Sequence, residues 1–342
     1  MRLPLSWLLA FTTAALALLL LGSLATGPMT LTLGESLRAL FAGQESGIES
    51  HKLLIVQEIR LPRTLLCIAV GGILGLCGAV MQGLFRNPLA DPGIIGVSGG
   101  AALGAALAIV LLAPLGQQLQ ATIGVGLLPL LAFLGGALTT TLVYLLGTRE
   151  GGTSVTVMLL AGVAITALSG AVIGLLTYLA DDQMLRNLSL WQMGTLAAGK
   201  PADVALALLT LAALLWLFMR DANPLNALLL GEGEARHLGV NVQSLKRRLI
   251  LLTAAGVGVA VAVSGMIGFV GLVVPHLVRL LAGPNHVRLL PLSALLGAAL
   301  LLAADMLART LQAPAELPVG IITALLGAPF FIWLLVKGRR TL

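Results

Sequence analysis

The sequence is short of charge, of cysteine and of nucleotide-binding motifs. Only 10% of its 342 residues are Asp, Glu, Lys or Arg, against about a quarter in ordinary globular chains, so most of its surface cannot face water. Cys67 and Cys77 are its only two cysteines. Ten residues along one helix sets them about 15 Å apart, too far for a disulfide, and two thiols are too few for a redox or metal centre. No G-x-x-x-x-G-K-[ST] phosphate loop occurs, which excludes a self-contained ATP-driven pump. What is present is apolar: 58% hydrophobic residues and a mean hydropathy of +1.03. Stretches of eighteen or more apolar residues make this an all-α polytopic membrane protein.

Ten spans are expected, at 5–25, 61–84, 94–113, 123–147, 154–179, 202–219, 246–264, 266–282, 290–308 and 317–336. The whole chain, 1–342, then forms one transmembrane domain. The first span is read as a retained helix, because no clear small-x-small cleavage site marks it and nine further spans follow. The net charge of +6 is read as topology and not as nucleic-acid affinity. With both termini in the cytoplasm, thirteen Lys and Arg, among them Arg2, Arg339 and Arg340, fall inside and seven outside, as the positive-inside rule favours. The first outer loop, 26–58, carries Glu35, Glu45, Glu49 and Glu58, with a short helix expected at 33–41. The inner loop, 220–245, is expected to hold two short helices. Asn223-Pro224 reads as a cap and first position, and Gly231 and Gly239 as stops. Such helices suit docking to a partner, or simply reconnect two spans. Glycines recur at helical spacing, at Gly71, Gly72, Gly75 and Gly78 and again at Gly96, Gly99, Gly100 and Gly104, a pattern for close helix packing.

Several polar interruptions stand out. Arg60-Leu-Pro-Arg63 opens the second span on the side where arginine is scarce, suited to an acidic partner, to lipid phosphate or to snorkelling. Arg86 and Asp91 could pair across the loop Arg86-Asn-Pro-Leu-Ala-Asp-Pro92. Ser264-Gly-Met-Ile-Gly268-Phe-Val-Gly-Leu-Val-Val-Pro275-His276 predicts a broken or kinked span. Asp305 and Arg309, four apart, can pair along a helix. Gly96-Val-Ser98-Gly-Gly100 fits G-x-S-x-G, but the strand–turn–helix setting of a hydrolase nucleophile is missing. An ion-driven transporter would want a carboxylate at mid-span, and none is placed there.

Taken together these segments resemble the membrane permease of ATP-binding-cassette importers for iron chelates and cobalamin, the FecCD type. The resemblance covers residues from about 55 to 336. It is carried by Arg60-Leu-Pro-Arg63, Met81-Gln82 through Ser98, Gly231-Glu232…Ala235…Leu238-Gly239, Gly268 through Pro275-His276, Asp305…Arg309 and Glu316-Leu-Pro-Val-Gly320. It implies ten membrane helices in the type II importer permease fold, in the bacterial inner membrane. The partners it implies are a second copy, two cytoplasmic ATPase subunits that bind the ATP, a periplasmic binding protein and membrane lipid, but no nucleic acid. The chain itself would hold no cofactor or metal and would have no catalytic residue. By this resemblance Arg60, Arg63 and Arg309 dock the binding protein. Leu225, Leu228, Leu229, Gly231, Glu232, Ala235, Leu238 and Gly239 couple to the ATPase, and Met81, Gln82, Ser98, Trp191, Met193, Pro275 and His276 are pathway or gating candidates. The segments 181–196 and Gly283–His286 look most like the haem branch, ahead of ferric siderophore and cobalamin.

Overall fold

A computed structural model describes residues 4–41, 49–113, 115, 118, 126–149, 152–197 and 199–338. Arg2, Glu45, Arg339, Arg340 and residues 123–125 of the expected fourth span lie outside these. Ten apolar helices occupy the ten expected places. They are α1 (Leu5–Ala25), α4 (Leu61–Leu84), α5 (Val97–Val110), α6 (Leu127–Gly147), α7 (Val155–Leu179), α9 (Pro201–Arg220), α12 (Val242–Ser264), α13 (Val270–Ala282), α14 (His286–Thr310) and α15 (Val319–Gly338). Seven of the helices are long and apolar enough to cross a membrane, and α5, α13 and α15 supply shorter apolar segments.

The connections are more structured than expected. The helix α2 (Leu33–Phe41) lies where it was predicted, but the rest of the outer loop is not all loop: α3 (Ser50–Leu54) runs through a π-helical stretch, Ile55–Arg60, straight into α4. An amphipathic helix, α8 (Asp182–Gln192), starts where the Asp181 carboxylate accepts the Met184 amide at 2.7 Å. The α6–α7 connection is a small hairpin pairing Thr148–Arg149 with Gly152–Thr153. In the inner loop α10 (Ala222–Leu230) begins two residues earlier than the Asn-Pro signal indicated. Asp221 is its cap, and Asn223 and Pro224 fall in its first turn, where a missing amide proton costs nothing. The stops at Gly231 and Gly239 are as expected, with φ of 125° and 83° bracketing α11 (Glu232–His237).

At the centre stands α4, with twenty of its 24 residues buried. It is nearly all Gly, Ala and aliphatic, so neighbouring backbones close on it. A β-carbon at Gly71 would meet the Gly297 carbonyl, one at Gly75 the Ser293 carbonyl, both on α14, and one at Gly78 the Gly271 carbonyl on α13. A second close pair joins α5 and α6, where Gly100 faces the Gly135 carbonyl and Gly104 the Leu131 carbonyl. By contrast α1 buries only Leu8, Ser23 and Leu24 and is otherwise turned outward.

The span predicted to be broken is broken. α12 stops at Ser264, Gly265 turns left-handed at φ 68°, and the chain stays non-helical until Phe269, also left-handed at φ 67°, from which α13 restarts. Pro275 sits inside α13. The expected Arg86–Asp91 pair is not formed. Asp91 instead accepts the Gly93 amide at 2.7 Å, closing the turn before Pro92–Ile95.

Gly75→Leu pushes against backbone and not against a yielding side chain, so α4 and α14 must part. The expected cost is about 2 kcal/mol or more, measured as a lower unfolding temperature in detergent. Gly174→Ala, where no atom lies within 4 Å, should leave that temperature unchanged.

Candidate functional site

At the end of the bundle where α1 finishes and α4 begins, Arg60, Arg63 and Arg309 converge with Asp305. Arg60 and Arg63 project from adjacent turns of the helix running into α4, and Asp305 and Arg309 share a face of α14 four residues apart. Arg63 donates from Nε to Asp305 Oδ1 at 3.0 Å and from Nη1 to Glu316 Oε2 at 2.7 Å. Arg309 Nε lies 3.0 Å from Asp305 Oδ2, realising the expected i,i+4 pair. Other donors go to the end of α1 and to the Met29 carbonyl just beyond it. Arg60 Nη1 reaches the carbonyls of Leu24 and Ala25 at 2.7 and 2.8 Å, and Arg309 Nη2 reaches Ser23 Oγ at 2.8 Å.

The three arginines are 3%, 6% and 2% exposed in the order Arg60, Arg63, Arg309. In this conformation none presents its guanidinium to a partner. The acceptors that hold them come from the chain itself. Sequence reasoning paired Arg309 with Asp305 but not the arginines with the end of α1, because main-chain carbonyls at a helix end carry no sequence signal. Outside this cluster, Lys52 hydrogen-bonds the Glu35 carboxylate at 2.8 Å and, with Thr32, holds its pKa down to about 2.

The break between α12 and α13 opens a cavity of about 430 Å³ lined by Asp91, Ser98, Gln192, Met193, Met266–Phe269, Gly320, Ile321 and Ala324. Two of the seven pathway candidates, Ser98 and Met193, line it. The others do not. Met81 is fully buried in α4, and Trp191 is packed at 8% exposure with its carbonyl against Gly265. Gln82 is buried and donates to the Leu272 carbonyl at 3.0 Å. Pro275 is buried inside α13, and His276 lies edge-on to Phe330 with ring centres 6.1 Å apart. Ser98 and His276 line different cavities, and no hydrogen bond joins them among the described residues. Met266, Ile267 and Phe269 were missed as lining residues. The glycines beside them marked the break, but not which side chains would face it.

The opposite end carries α10 and α11. Of the expected coupling residues, Leu225, Leu228 and Ala235 are buried and fasten the two helices to the bundle, whereas Leu229 and Leu238 are exposed at 37% and 65%. Glu232 accepts from Lys246 Nζ at 2.6 Å, and the same ammonium donates to the Thr153 carbonyl at 3.0 Å. α11 is thereby tied to α12 and the hairpin. Gly231 and Gly239 serve as the two turns. The face offered outward is therefore formed by Leu229, Leu230 and Leu238, with the first set acting as its anchor.

Asp305→Asn strips the carboxylate that both Arg63 and Arg309 share while leaving both cations buried. Removing one partner of such a group costs about 3–5 kcal/mol, seen as a marked drop in unfolding temperature in detergent. Lys52→Gln, at a pair that remains in contact with solvent, should shift it little.

Known proteins share this architecture along nearly its whole length. The profile of the FecCD transport family matches residues 15–337. The hemin transport system permease protein of Yersinia pestis is 47% identical over 97% of this chain and 96% of its own. A cobalamin import system permease of Halobacterium salinarum is 44% identical over 87% of this chain and 77% of its own. A solved metal-chelate type ABC transporter in an inward-facing conformation superposes with a TM-score of 0.82 at 34% identity, over 97% of this chain and 99% of that one. With the fold, the broken α12–α13 span and the two short helices as its sequence pattern requires, the chain belongs to the FecCD transport family.

Proposed function

We propose that the chain is the permease subunit of an ATP-binding-cassette importer of the bacterial inner membrane and that its cargo is haem, received from a periplasmic binding protein. The observation that carries the cargo assignment is the 47% identity, end to end, with a hemin permease. In this reading two copies enclose the pathway, and two ATPase subunits sit against the short-helix end. ATP is bound and hydrolysed there, and the chain itself performs no covalent chemistry. Both termini lie in the cytoplasm. The exposed leucines Leu229, Leu230 and Leu238 face the ATPase, and nucleotide-driven closure moves them. The cavity at the α12–α13 break then opens to alternate sides as the bundles rock. A proton- or sodium-driven cycle finds little support, because the buried carboxylate of Asp305 is already paired with two arginines.

Cobalamin is the second reading, favoured by the relatives at 44% and 42% identity that carry that name. The test is uptake into proteoliposomes holding permease and ATPase, with loaded binding protein and ATP, offered haem, a ferric siderophore or cobalamin in parallel. ATP-dependent accumulation of haem is expected. Accumulation of cobalamin or siderophore without haem overturns the cargo, and uptake that needs an ion gradient and not ATP overturns the importer.

A further inference from the structure

Where α10 meets the bundle, one histidine is buried completely and is left with an unsatisfied ring nitrogen. His286, the first residue of α14, is 0% exposed. Its Nδ1 and its backbone amide both contact Asn226 Oδ1 on α10, at 2.9 and 2.8 Å. Asn226 Nδ2 in turn donates to Asn285 Oδ1, the cap of α14, at 2.9 Å. The other edge of the ring lies on Gly83 in the last turn of α4, where a β-carbon would collide with it. His286 Nε2 has no hydrogen-bond partner. A side chain needed only to fill this space would be apolar, because a buried polar atom without a partner costs free energy. What the ring does here lies with its other nitrogen, which grips Asn226.

Three helices therefore meet on one imidazole: α10, α14 and α4. The last two form a single stiff rod. They are in backbone contact at Gly71, Gly75 and Gly297 and are tied at the far end by Arg63 and Asp305 at 2.9 Å. From Gly83 to Arg63 that rod spans about 30 Å of helix. α11 is fastened elsewhere, through Glu232 and Lys246 to α12, so the contact at Asn226 gives α10 its own route into the centre of the molecule. Taking the chain as an ATP-driven permease, as proposed above, we infer that His286 is a positioning residue. It converts displacement of α10 into movement of the α4–α14 rod, and so carries the ATPase stroke to the end of the bundle where the arginines lie.

The test uses the assembled permease–ATPase complex in lipid. Spin labels are placed by Leu311→Cys, just beyond α14, and Tyr178→Cys, at the end of α7. Both sites are exposed, and the native Cys67 and Cys77 are buried. Label separation with and without ATP is read alongside ATP hydrolysis and substrate uptake. With His286 present, ATP should change the separation. With His286→Leu, ATP hydrolysis should persist while the change disappears and uptake per ATP falls about tenfold. His286→Gln, whose amide can donate to Asn226, should restore both. An ATP-driven change of full size in His286→Leu overturns the assignment, as does failure of His286→Gln to restore it in a complex that still hydrolyses ATP. No ATP-driven change with His286 in place removes the ATP-driven reading itself, and this inference with it.

Discussion

Inside a bilayer no hydrophobic drive presses one helix against another, so contact must come from backbone approach and from polar groups that find partners within the protein. The meeting of α4 with α14 at Gly71, Gly75 and Gly297 is the approach on which the rest of this bundle depends. It fixes the axis against which α9, α12 and α13 pack. It also brings Arg63 and Asp305 to hydrogen-bonding distance although 242 residues separate them in sequence. Without that approach the buried charges at one end would lose their partners, and the histidine contact at the other would have no second helix to lean on.

The distribution of polar groups follows from the same constraint. Charge is scarce in this chain, and where it enters the bundle it is shared: one carboxylate serves two arginines, and one lysine serves a glutamate and a carbonyl. Arg60 and Arg309 together satisfy the terminal carbonyls of α1, a helix otherwise weakly buried. The arginine end is thus a locked corner whose donors are held by the chain's own acceptors, and the short-helix end is an anchored lever with leucines on its outer side.

The spans were legible because a 20-residue apolar run has few other meanings in a protein this poor in charge. Their ends agree to within four residues, since glycine, proline and arginine punctuate them. The continuation of α4 back to Ser50 and the amphipathic α8 were not legible, because helices with polar faces at a membrane edge lack the long apolar signature. Within the site, residue identity was easier to read than direction. Arg60, Arg63 and Arg309 stood out by their placement, but the inward turn of Arg60 and Arg309 depends on carbonyls at the end of α1, and that of Arg63 on carboxylates far away in sequence. Leu228 and Leu230 look alike in sequence and differ only in which side of a two-turn helix meets the bundle. His286 stood out only as part of a family-like segment, and nothing in the chain before it announced Asn226 as its partner.

The restart of α13 has a further consequence. Phe269 holds a left-handed backbone, a conformation that costs a residue with a β-carbon about 1–2 kcal/mol, and its ring and β-carbon fill the space over Gly327 on α15. The two positions are therefore coupled in the order in which they can change. A side chain cannot be gained at 327 while phenylalanine stands at 269, whereas glycine at 269, which lacks the clashing β-carbon, would relieve the backbone and open that space at once. Any lineage that enlarges this part of the cavity wall has one permitted sequence of steps, beginning at the aromatic residue and only then reaching the glycine.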